Sequence, residues 1–502
     1  MAVYTFPDVF FWIQNLPPVS EWSPASGSMT LRLCSSSTSQ PSLNLSIARS
    51  LRSSKLFFAI VADFKIPVTL WTSKPFKPSS NDNTKSIKLL NESTTSNVLV
   101  NFIEAILHYG SNKNSPSLKF PKLDSILPNL PDIFNLAFLT LLFLVIIYEA
   151  PEDLRIGCVT SIKNHLSGSD SREASKLLMK LLGSNLEELW MRSVNLAITT
   201  CVVELRTVNQ SNCRTPCTLF SCAFSDFGLW KVQLYCPVIA MDVENSNNHS
   251  VDERLQFSLR YHQLEGVLQF NYQVTVQEKW VEIVVSIDNI RCDVVKLVNE
   301  NLLRGRGIGA GEKHFPSRIC LELTPTLQNQ VLSLSVSKST ENPRREIGID
   351  KSIEASLEPN NPLGLKVSAG ETSTVSLKPW KFEESTYGYS ANLNWFLHDS
   401  INGKEVFSSK PSKCALLNPR SWFRDRYSSA HRPFTRQGGI IFAGDEYGDS
   451  VLWKVDKGAI GKTMEWEIRG WIWLTYWPNK HKTFYSETRR FEFRETLHLH
   501  IA

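Results

Sequence analysis

The sequence predicts an α+β fold in which an N-terminal helical hairpin or bundle region is followed by antiparallel β-sandwich-like modules. Two patterns predict this arrangement. Apolar residues recur at helical spacing between about residues 98 and 206, and short alternating segments separated by turn residues dominate the chain from about residue 216. The content of 42% hydrophobic and 21% charged residues is typical of a globular chain with substantial cores.

Four regions follow from these patterns, in keeping with a length of 502 residues. They are a mixed N-terminal region with a polar linker (1–97), a helical domain (98–206), an antiparallel β-rich domain (207–379) and a Trp-rich antiparallel β-rich domain (380–502).

Composition narrows the classes of function and location. The net charge of +5 is small for this length, so charge alone predicts neither a nucleic-acid nor a membrane role. Ten cysteines in 502 residues do not form a disulfide scaffold. The N-terminus has no basic region before its apolar residues, and Asp8 interrupts it, so we predict no secretory signal. We expect free thiols and a cytoplasmic location.

The N-terminal region contains two strand patterns and a linker. The segments "LNLSIA" (43–48) and "KLFFAIVAD" (55–63) are rich in β-branched and aromatic residues, which predicts strands. Residues 74–97 are polar and rich in Pro, Ser and Asn, which predicts a loop or linker.

Successive amphipathic helices are predicted between residues 98 and 206. One ends at Gly110, and another begins after Pro151. The segment "SDSREASKLLMKLLG" closes at Gly183, and Ser184 with Glu187 forms a capping box for the helix that follows. Short turns between such helices indicate a helical hairpin array.

The apolar helix Ile133–Tyr148 has two interpretations. It is uncharged over its whole length, yet slightly shorter than the roughly 17–25 residues that a membrane span needs. It is either the buried centre of the helical domain or a membrane segment. We favour the buried helix, because the neighbouring helices carry apolar stripes that need a partner.

Alternation predicts half-buried strands near the C-terminus. In "TMEWEIRGWIWLTYW" we expect Trp466, Ile468, Ile472 and Leu474 to be buried, with Glu465, Glu467 and Arg469 largely exposed. A bulge at Gly470 would instead bury Trp471 and Trp473.

The segment "LLRGRGIGAGEKHFPSR" (302–318) contains four glycines and matches the loose dinucleotide fingerprint from Gly305. That fingerprint needs a helix after the loop, but Pro316 and a strand pattern from Ile319 leave room for barely one turn. We therefore predict a loop between two elements. A second interpretation is that the loop contacts an anionic partner through its basic residues, which are Arg304, Arg306, Lys313 and Arg318.

A second basic segment, residues 420–439, interleaves arginines with aromatic residues. Arginine beside aromatic rings can bind phosphates or single-stranded nucleic acid, and it can equally pair with nearby acids to order a long loop. Its candidate residues for an anionic partner are Arg420, Arg424, Arg426, Arg432 and Arg436.

No cofactor, metal or catalytic motif is predicted. The cysteines have irregular spacing for a zinc site, which predicts packed thiols at Cys213, Cys217, Cys222 and Cys236. The acidic segment "FAGDEYGDS" (442–450) does not match an EF-hand loop and predicts a hairpin tip.

Long, distinctive phrases resemble a group of plant proteins of unknown function. They include "PWKFEESTYGYSANLNWFLHDS" and "EWEIRGWIWLTYWPNKHKTFYSETRRFEF" in the C-terminal third, and the glycine segment is similar to the same group. The resemblance implies a plant source and carries no activity or catalytic residue.

The sequence therefore predicts a non-catalytic scaffold or binding protein, whose partner is a protein or an anionic ligand. Specific nucleic-acid binding is not expected. One alternative is a membrane-associated protein anchored through residues 133–148. The other is an enzyme with a dispersed site that no motif marks.

Overall fold

The computed structural model describes only part of the chain, and the statements below concern that part. The described residues are 6–17, 19–22, 27–35, 42–50, 55–64, 66–77, 92–110, 129–151, 154–155, 158–159, 162, 165–166, 168–207, 220–226, 228–244, 253–297, 313–337, 345–352, 370–377, 380–397, 440–443, 450–477 and 487–501.

The N-terminal region forms a four-stranded antiparallel sheet, here called the N-terminal sheet, with the strand order β1-β2-β3-β4. Its strands are β1 (Ser28–Ser35), β2 (Ser42–Arg49), β3 (Leu56–Asp63) and β4 (Val68–Thr72). The two predicted strands, 43–48 and 55–63, are confirmed as β2 and β3.

The predicted fold class is wrong in the position of the helices along the chain and in the proportion of helix to strand. The helices lie in the middle of the chain, with no clear N-terminal bundle, and strands outweigh helices. The first 97 residues have a mixed sequence pattern, because only β2 and β3 carry a strong apolar pattern. The edge strands β1 and β4 face water more, and their pattern is correspondingly weak.

A helical layer covers one face of the N-terminal sheet. Phe102 is fully buried there, with its ring 6.5 Å from that of Phe58 in β3 and 5.2 Å from that of Phe134. Apolar aromatic contacts of this kind join sheet and helices into one core. The helices are α1 (Val9–Gln14), α2 (Glu92–His108), α3 (Leu130–Glu149) and α4 (Ser169–Thr207).

The apolar helix is α3, and most of its side chains are buried inside the chain. It packs against α1, α2 and α4. Its polar residues are used within the protein: Asn135 accepts from the backbone N–H of Phe10 at 3.0 Å and donates to Asp8 at 2.9 Å. Within the described part of the chain, α3 is the one helix long and apolar enough to cross a membrane.

Helix α4 is interrupted at Gly183, whose φ of 72° lies in the left-handed region that glycine tolerates. The predicted end of one helix and start of the next at this position are confirmed. Glu187 and Asn195 of the second half of α4 form hydrogen bonds with Gln233 and Gln263 of the following β-sheet.

Two antiparallel sheets then stack face to face. The inner sheet has the order β11-β17-β9-β8-β6-β5, with β16 also paired to β9, and the outer sheet has the order β14-β15-β10-β18-β19-β7. The inner strands are β5 (Ser221–Asp226), β6 (Leu229–Pro237), β8 (His262–Val276), β9 (Trp280–Lys296), β11 (Val331–Val336), β16 (Ile440–Ala443) and β17 (Ser450–Asp456).

The outer strands complete the sandwich. They are β7 (Asp242–Glu244), β10 (Lys313–Pro325), β14 (Trp380–Tyr387), β15 (Ser390–Leu397), β18 (Thr463–Trp477) and β19 (Glu487–His500). A short helix, α5 (Glu253–Tyr261), precedes β8, and β12 (Arg345–Ser352) pairs with β13 (Gly370–Leu377) as a separate ribbon.

The predicted division at residue 380 does not separate two sheets. In the outer sheet, β10 pairs with β15 and β18, and in the inner sheet β9 pairs with β17. Strands from both predicted β-rich regions therefore share both sheets, because each needs neighbours from the other to satisfy its backbone hydrogen bonds.

Tryptophans fill the space between the two sheets. Trp466 of β18 is fully buried, with its ring 5.5 Å from Trp230 of β6 and 6.0 Å from Trp453 of β17. The predicted burial of Trp466, Ile468, Ile472 and Leu474 is confirmed, with Glu465 and Arg469 exposed and Glu467 half-buried.

Gly470 causes no change of face in β18, and its own role is steric. It pairs directly with Phe493 of β19, and a Cβ atom at position 470 would lie 2.1 Å from the Phe493 ring. The ring occupies the space above the glycine backbone, as in the aromatic covering of strand glycines. Only glycine allows Phe493 to pack there.

We expect Gly470→Ala to lower the free energy of unfolding by about 1–3 kcal/mol, because overpacking forces the Phe493 ring out of its position. Urea unfolding of the purified chain measures the change. The double variant Gly470→Ala/Phe493→Leu should recover part of the loss. Equal stability of Gly470→Ala and wild type would contradict this steric role.

Candidate functional site

The candidate site lies at one end of the sandwich, here called the crossover end. In the outer sheet, Lys313 at the start of β10 pairs with Trp477 at the end of β18, and Arg318 pairs with Phe396 near the end of β15. The chain therefore leaves β15 and β18 and enters β10 at the same edge.

The inner sheet contributes to the same end. His262 at the start of β8 pairs with Lys296 at the end of β9, and its ring lies 5.7 Å from that of His314 in β10. Strand β16 begins at Ile440 beside Cys292, near the end of β9. Segments 298–312 and 398–439 thus both connect the inner and outer sheets at the crossover end.

Most of the predicted anion-binding residues belong to those two segments and lie outside the described residues. They are Arg304, Arg306, Arg420, Arg424, Arg426, Arg432 and Arg436. The strands that precede and follow each segment are described, and they place both ends of each segment at the crossover end. Of the remaining candidates, Lys313 begins β10, and Arg318 follows within the same strand.

Arg318 is held between two aromatic rings on the outer face of the sheet. Its guanidinium carbon lies 4.6 Å from the centre of the Phe396 ring and 4.4 Å from that of Trp473. It also donates to the Asn394 side chain at 3.5 Å. Cation–π contacts on both faces fix this guanidinium and leave only its edge for another partner.

The glycine segment does not lead into a nucleotide-binding helix. Strand β10 begins at Lys313, six residues before the predicted start at Ile319, which excludes a three-turn helix from Gly307–Gly311. Pro316 is accommodated because the pairing register shifts between Pro316 and Arg318, where proline's missing N–H is tolerated. Residues 302–312 lie outside the described residues.

Two buried histidines meet between the sheets at the crossover end. The Ser258 hydroxyl of α5 lies 2.9 Å from Nδ1 of His262 and 3.3 Å from Nδ1 of His314. All three side chains are buried. The Tyr476 ring packs 5.1 Å from His314 on the side facing β18.

The hydrogen bonds assign the protons of the pair. Nδ1 of His262 lies 2.5 Å from the backbone oxygen of Ser258, and because a carbonyl only accepts, this nitrogen carries the proton. The Ser258 hydroxyl then donates to Nδ1 of His314. That arrangement places the proton of His314 on Nε2, a buried atom with no partner among the described residues.

Both imidazoles are held neutral. Burial lowers the pKa of His262 to about 4. Burial lowers the pKa of His314 well below its ordinary value, and the charge of Arg489 and the repulsion that a protonated His262 would exert lower it further. The Arg489 guanidinium is itself held by Glu487 and donates to the carbonyl of Met241 at 3.1 Å.

A second buried polar cluster, here called the polar seam, joins α4 to the outward face of the inner sheet. Gln233 donates to Glu187 at 2.8 Å, and Asn195 donates to Gln263 at 2.7 Å. Burial raises the pKa of Glu187, although hydrogen bonds from Tyr235 and Gln233 oppose that change.

One arginine neutralises the carboxylates on the other side of the polar seam. Arg192 pairs with Glu188 one turn before it and donates to Glu265 of β8 at 3.0 Å. Burial raises the pKa of Glu265, and the Arg192 charge and hydrogen bond oppose it. The polar seam therefore fixes α4 on the inner sheet by charge-assisted contacts.

Cysteines and acids form no metal cluster among the described residues. Cys222 and Cys236 are buried in β5 and β6, while Cys213 and Cys217 lie outside the described residues. The acidic segment 442–450 is described only at its ends, in β16 and β17.

Sequence reasoning missed the histidine pair and the polar seam. Ser258 and His262 are four residues apart, but His314 comes from a different strand 52 residues later. Glu187 was noted only as a helix cap. The one available signal was the polar residues Gln233 and Gln263 inside strands that are otherwise apolar.

Comparisons with known proteins leave the family open. No protein-family model matches the sequence. No curated protein matches it either. Among solved structures, the chain is similar to the membrane-inserted form of the NetB toxin of Clostridium perfringens, with 9% identity over 56% of this chain and 92% of that chain. The TM-score of 0.19 is too low to support a shared fold.

We expect the stability of the fold to fall as the pH drops from about 6.5 to about 4. In this window the unfolded chain binds protons at histidine that folded His262 and His314 do not bind. The free energy of unfolding should fall by about 1.4 kcal/mol per pH unit for each buried histidine. Urea unfolding across this pH range measures the slope.

The variants His262→Gln and His314→Gln should each show a shallower slope than wild type. His500→Gln is the matched control, since this histidine lies on the exposed face of β19. Slopes equal to wild type in both buried variants would show that the pair does not carry the acid sensitivity.

Proposed function

We propose that the chain is a non-catalytic binding or scaffold protein that holds an acidic protein segment at the crossover end. The observation that carries this proposal is the strand register. It brings together the start and finish of segments 298–312 and 398–439, which contain seven of the nine predicted anion-binding residues.

Charge supports the same proposal. Segment 398–439 carries eight Lys and Arg against three Asp and Glu, and segment 478–486, also attached at the crossover end, carries two lysines and no acid. An arginine guanidinium group can donate two parallel hydrogen bonds to one carboxylate, so an acidic peptide is a suitable class of ligand. The partner would bind outside the sandwich, since the interior there is occupied by neutral histidines.

The buried titratable groups of the described part favour binding over catalysis. Two of them hold one element to another: Arg489 joins β19 to the β6–β7 connection, and Arg192 joins α4 to β8. A general base works best with a pKa near the operating pH, whereas His262 has a pKa of about 4 and is covered on all sides.

The test compares two charge-matched variants for binding to an unstructured polyglutamate peptide. Arg304→Gln/Arg306→Gln removes two charges from segment 298–312. Arg469→Gln/Arg494→Gln removes two from the middle of the outer sheet, where these arginines pair with Glu492 and Glu467. Fluorescence anisotropy should show roughly tenfold weaker binding for the first variant, about 1.4 kcal/mol, and little change for the second.

A third variant extends the test to the longer segment. Replacing the five arginines between 420 and 436 with glutamine should weaken peptide binding further and reduce its dependence on salt. Equal losses in the crossover-end and control variants would contradict the proposed location. Tighter binding to single-stranded nucleic acid than to the peptide would contradict the proposed ligand.

We also propose that α3 acts as a core helix of a cytoplasmic protein rather than as a membrane anchor. Its contacts with α1, α2 and α4 and the hydrogen bonds of Asn135 support this proposal. Leaving the protein core would strip both Asn135 partners from a side chain that hydrocarbon cannot satisfy.

Fractionation of cells expressing the full chain tests the role of α3. We expect the protein in the supernatant after carbonate treatment of the membrane fraction, because a helix buried by its own chain has no apolar face left for lipid. Retention in the pellet until detergent is added would favour the membrane anchor instead.

A further inference from the structure

The end of the sandwich opposite the crossover end is here called the hairpin end. Two connections at this end stay within one sheet, and they join β8 to β9 and β14 to β15. Two others pass between the sheets, and they join β10 to β11 and β17 to β18. In the inner sheet, Val281 at the start of β9 pairs with Val276 and with Val455, and Val455 pairs with Val331. The strand register therefore places the inner-sheet connections side by side.

The outer sheet brings its own connections to the same end. Leu323 near the end of β10 pairs with Ala391 near the start of β15 and with Ile468 in the first half of β18. Short connections, residues 326–330 and 457–462, then join the two sheets directly at this end. All four connections consequently belong to one surface of the protein.

A large apolar side chain is exposed on or beside each of the four connections. Turns usually carry glycine, proline, asparagine or other polar residues, so the chain reversals themselves do not require these side chains. One exposed apolar residue is ordinary, but four at one end of the protein indicate an interaction surface. Their exposed fractions are 50% for Val276, 47% for Leu327, 83% for Tyr387 and 41% for Ile460.

The four apolar side chains stand on separate chain reversals rather than along one strand or one helix. Gly388 and Gly461 have φ values of 60° and 77°, which allow a tight reversal directly after Tyr387 and Ile460. A folded protein partner would need a complementary cavity for each of these side chains. A lipid surface is fluid, so each side chain can enter it to its own depth.

The charges of the hairpin end complement an anionic surface. The four connections carry three exposed lysines against one acidic residue, Glu278. Asp456, the last residue of β17, accepts a hydrogen bond from the backbone N–H of Gly458 at 2.7 Å, and counting it leaves a net charge of +1. Lysine beside apolar residues suits the headgroup layer of a membrane, where its ammonium group meets lipid phosphates. The three lysines are Lys279, Lys457 and Lys462.

We propose that the hairpin end binds the surface of a membrane that contains anionic phospholipid. The four apolar side chains enter the boundary between headgroups and acyl chains, and the three lysines contact the headgroup phosphates. Tyr387 suits this boundary because its ring is apolar and its hydroxyl is polar. The contact is peripheral and reversible, so it leaves α3 inside the core. It does not rest on the acidic partner of the crossover end, which lies at the other end of the same strands.

The test is flotation of the full chain with vesicles of phosphatidylcholine that contain about a quarter phosphatidylserine. Leu327→Ser/Ile460→Ser should bind roughly tenfold more weakly than wild type, because these side chains no longer gain from leaving water. Ile66→Ser/Val68→Ser is the matched control, since it removes two exposed apolar residues from the N-terminal sheet. It should float as wild type does. Unchanged urea midpoints in both variants verify that the fold is intact.

Charge variants separate the hairpin end from the basic segments of the crossover end. Lys279→Gln/Lys462→Gln should weaken binding to the mixed vesicles roughly tenfold and leave binding to pure phosphatidylcholine unchanged. Arg304→Gln/Arg306→Gln should float as wild type does. Loss of flotation in the arginine variant alone would overturn the proposal, because the crossover end would then hold the membrane.

Hydrogen exchange locates the contact without any substitution. Vesicles should slow amide exchange in residues 326–330 and 457–462 of the wild-type protein. Unchanged exchange there, or equal flotation of wild type and Leu327→Ser/Ile460→Ser, would overturn the proposal. A wild-type dimer that this variant loses, with no flotation of either protein, would assign the surface to a second copy of the chain. Binding of the polyglutamate peptide should be the same in both proteins, so the two proposals fail independently.

Discussion

The contact of Trp466 with Trp230 and Trp453 is the interaction on which the rest of the sandwich depends. Three indole rings from three strands fill the space between the inner and outer sheets, and each is completely buried. Large aromatic side chains contribute much of the free energy of such a core. Because the facing surfaces of the two sheets are packed together, a connection from one sheet to the other runs around an end of the sandwich. At the crossover end, His262 of the inner sheet lies against His314 of the outer sheet.

Polar contacts then decide how the remaining layers sit on that core. The polar seam binds α4 to the inner sheet through Arg192 and Glu265. Replacing a buried ion pair of this kind with well-packed apolar residues often costs little stability. Its contribution is orientation, because a shift of α4 by one turn would leave Glu187 and Glu265 buried without their partners. The inner sheet is consequently covered on both faces, by α4 on one and by the tryptophans on the other.

The sequence was informative where one physical pattern dominated. Alternation in β18 predicted the burial of Trp466 and Ile472, because a strand with one buried face repeats every two residues. The glycine at 183 marked a helix boundary through its left-handed φ. The order of helices and sheets was misjudged because β1 and β4 acquire their structure from pairing with β2 and β3. The histidine pair was out of reach, since its members meet only through the crossover between sheets.

The histidine pair also closes the interior of the crossover end to further positive charge. Two neutral imidazoles, the Ser258 hydroxyl and the Tyr476 ring occupy the interior there, and protonating His314 would place an unpaired cation near Arg489. The interior therefore accepts no further positive charge. The charge of Arg489 is cancelled by Glu487, and its guanidinium also donates to backbone carbonyls. A long segment with eight basic and three acidic residues carries a charge surplus that its own acids do not cancel. An acidic partner outside the sandwich would neutralise that surplus without entering the fold.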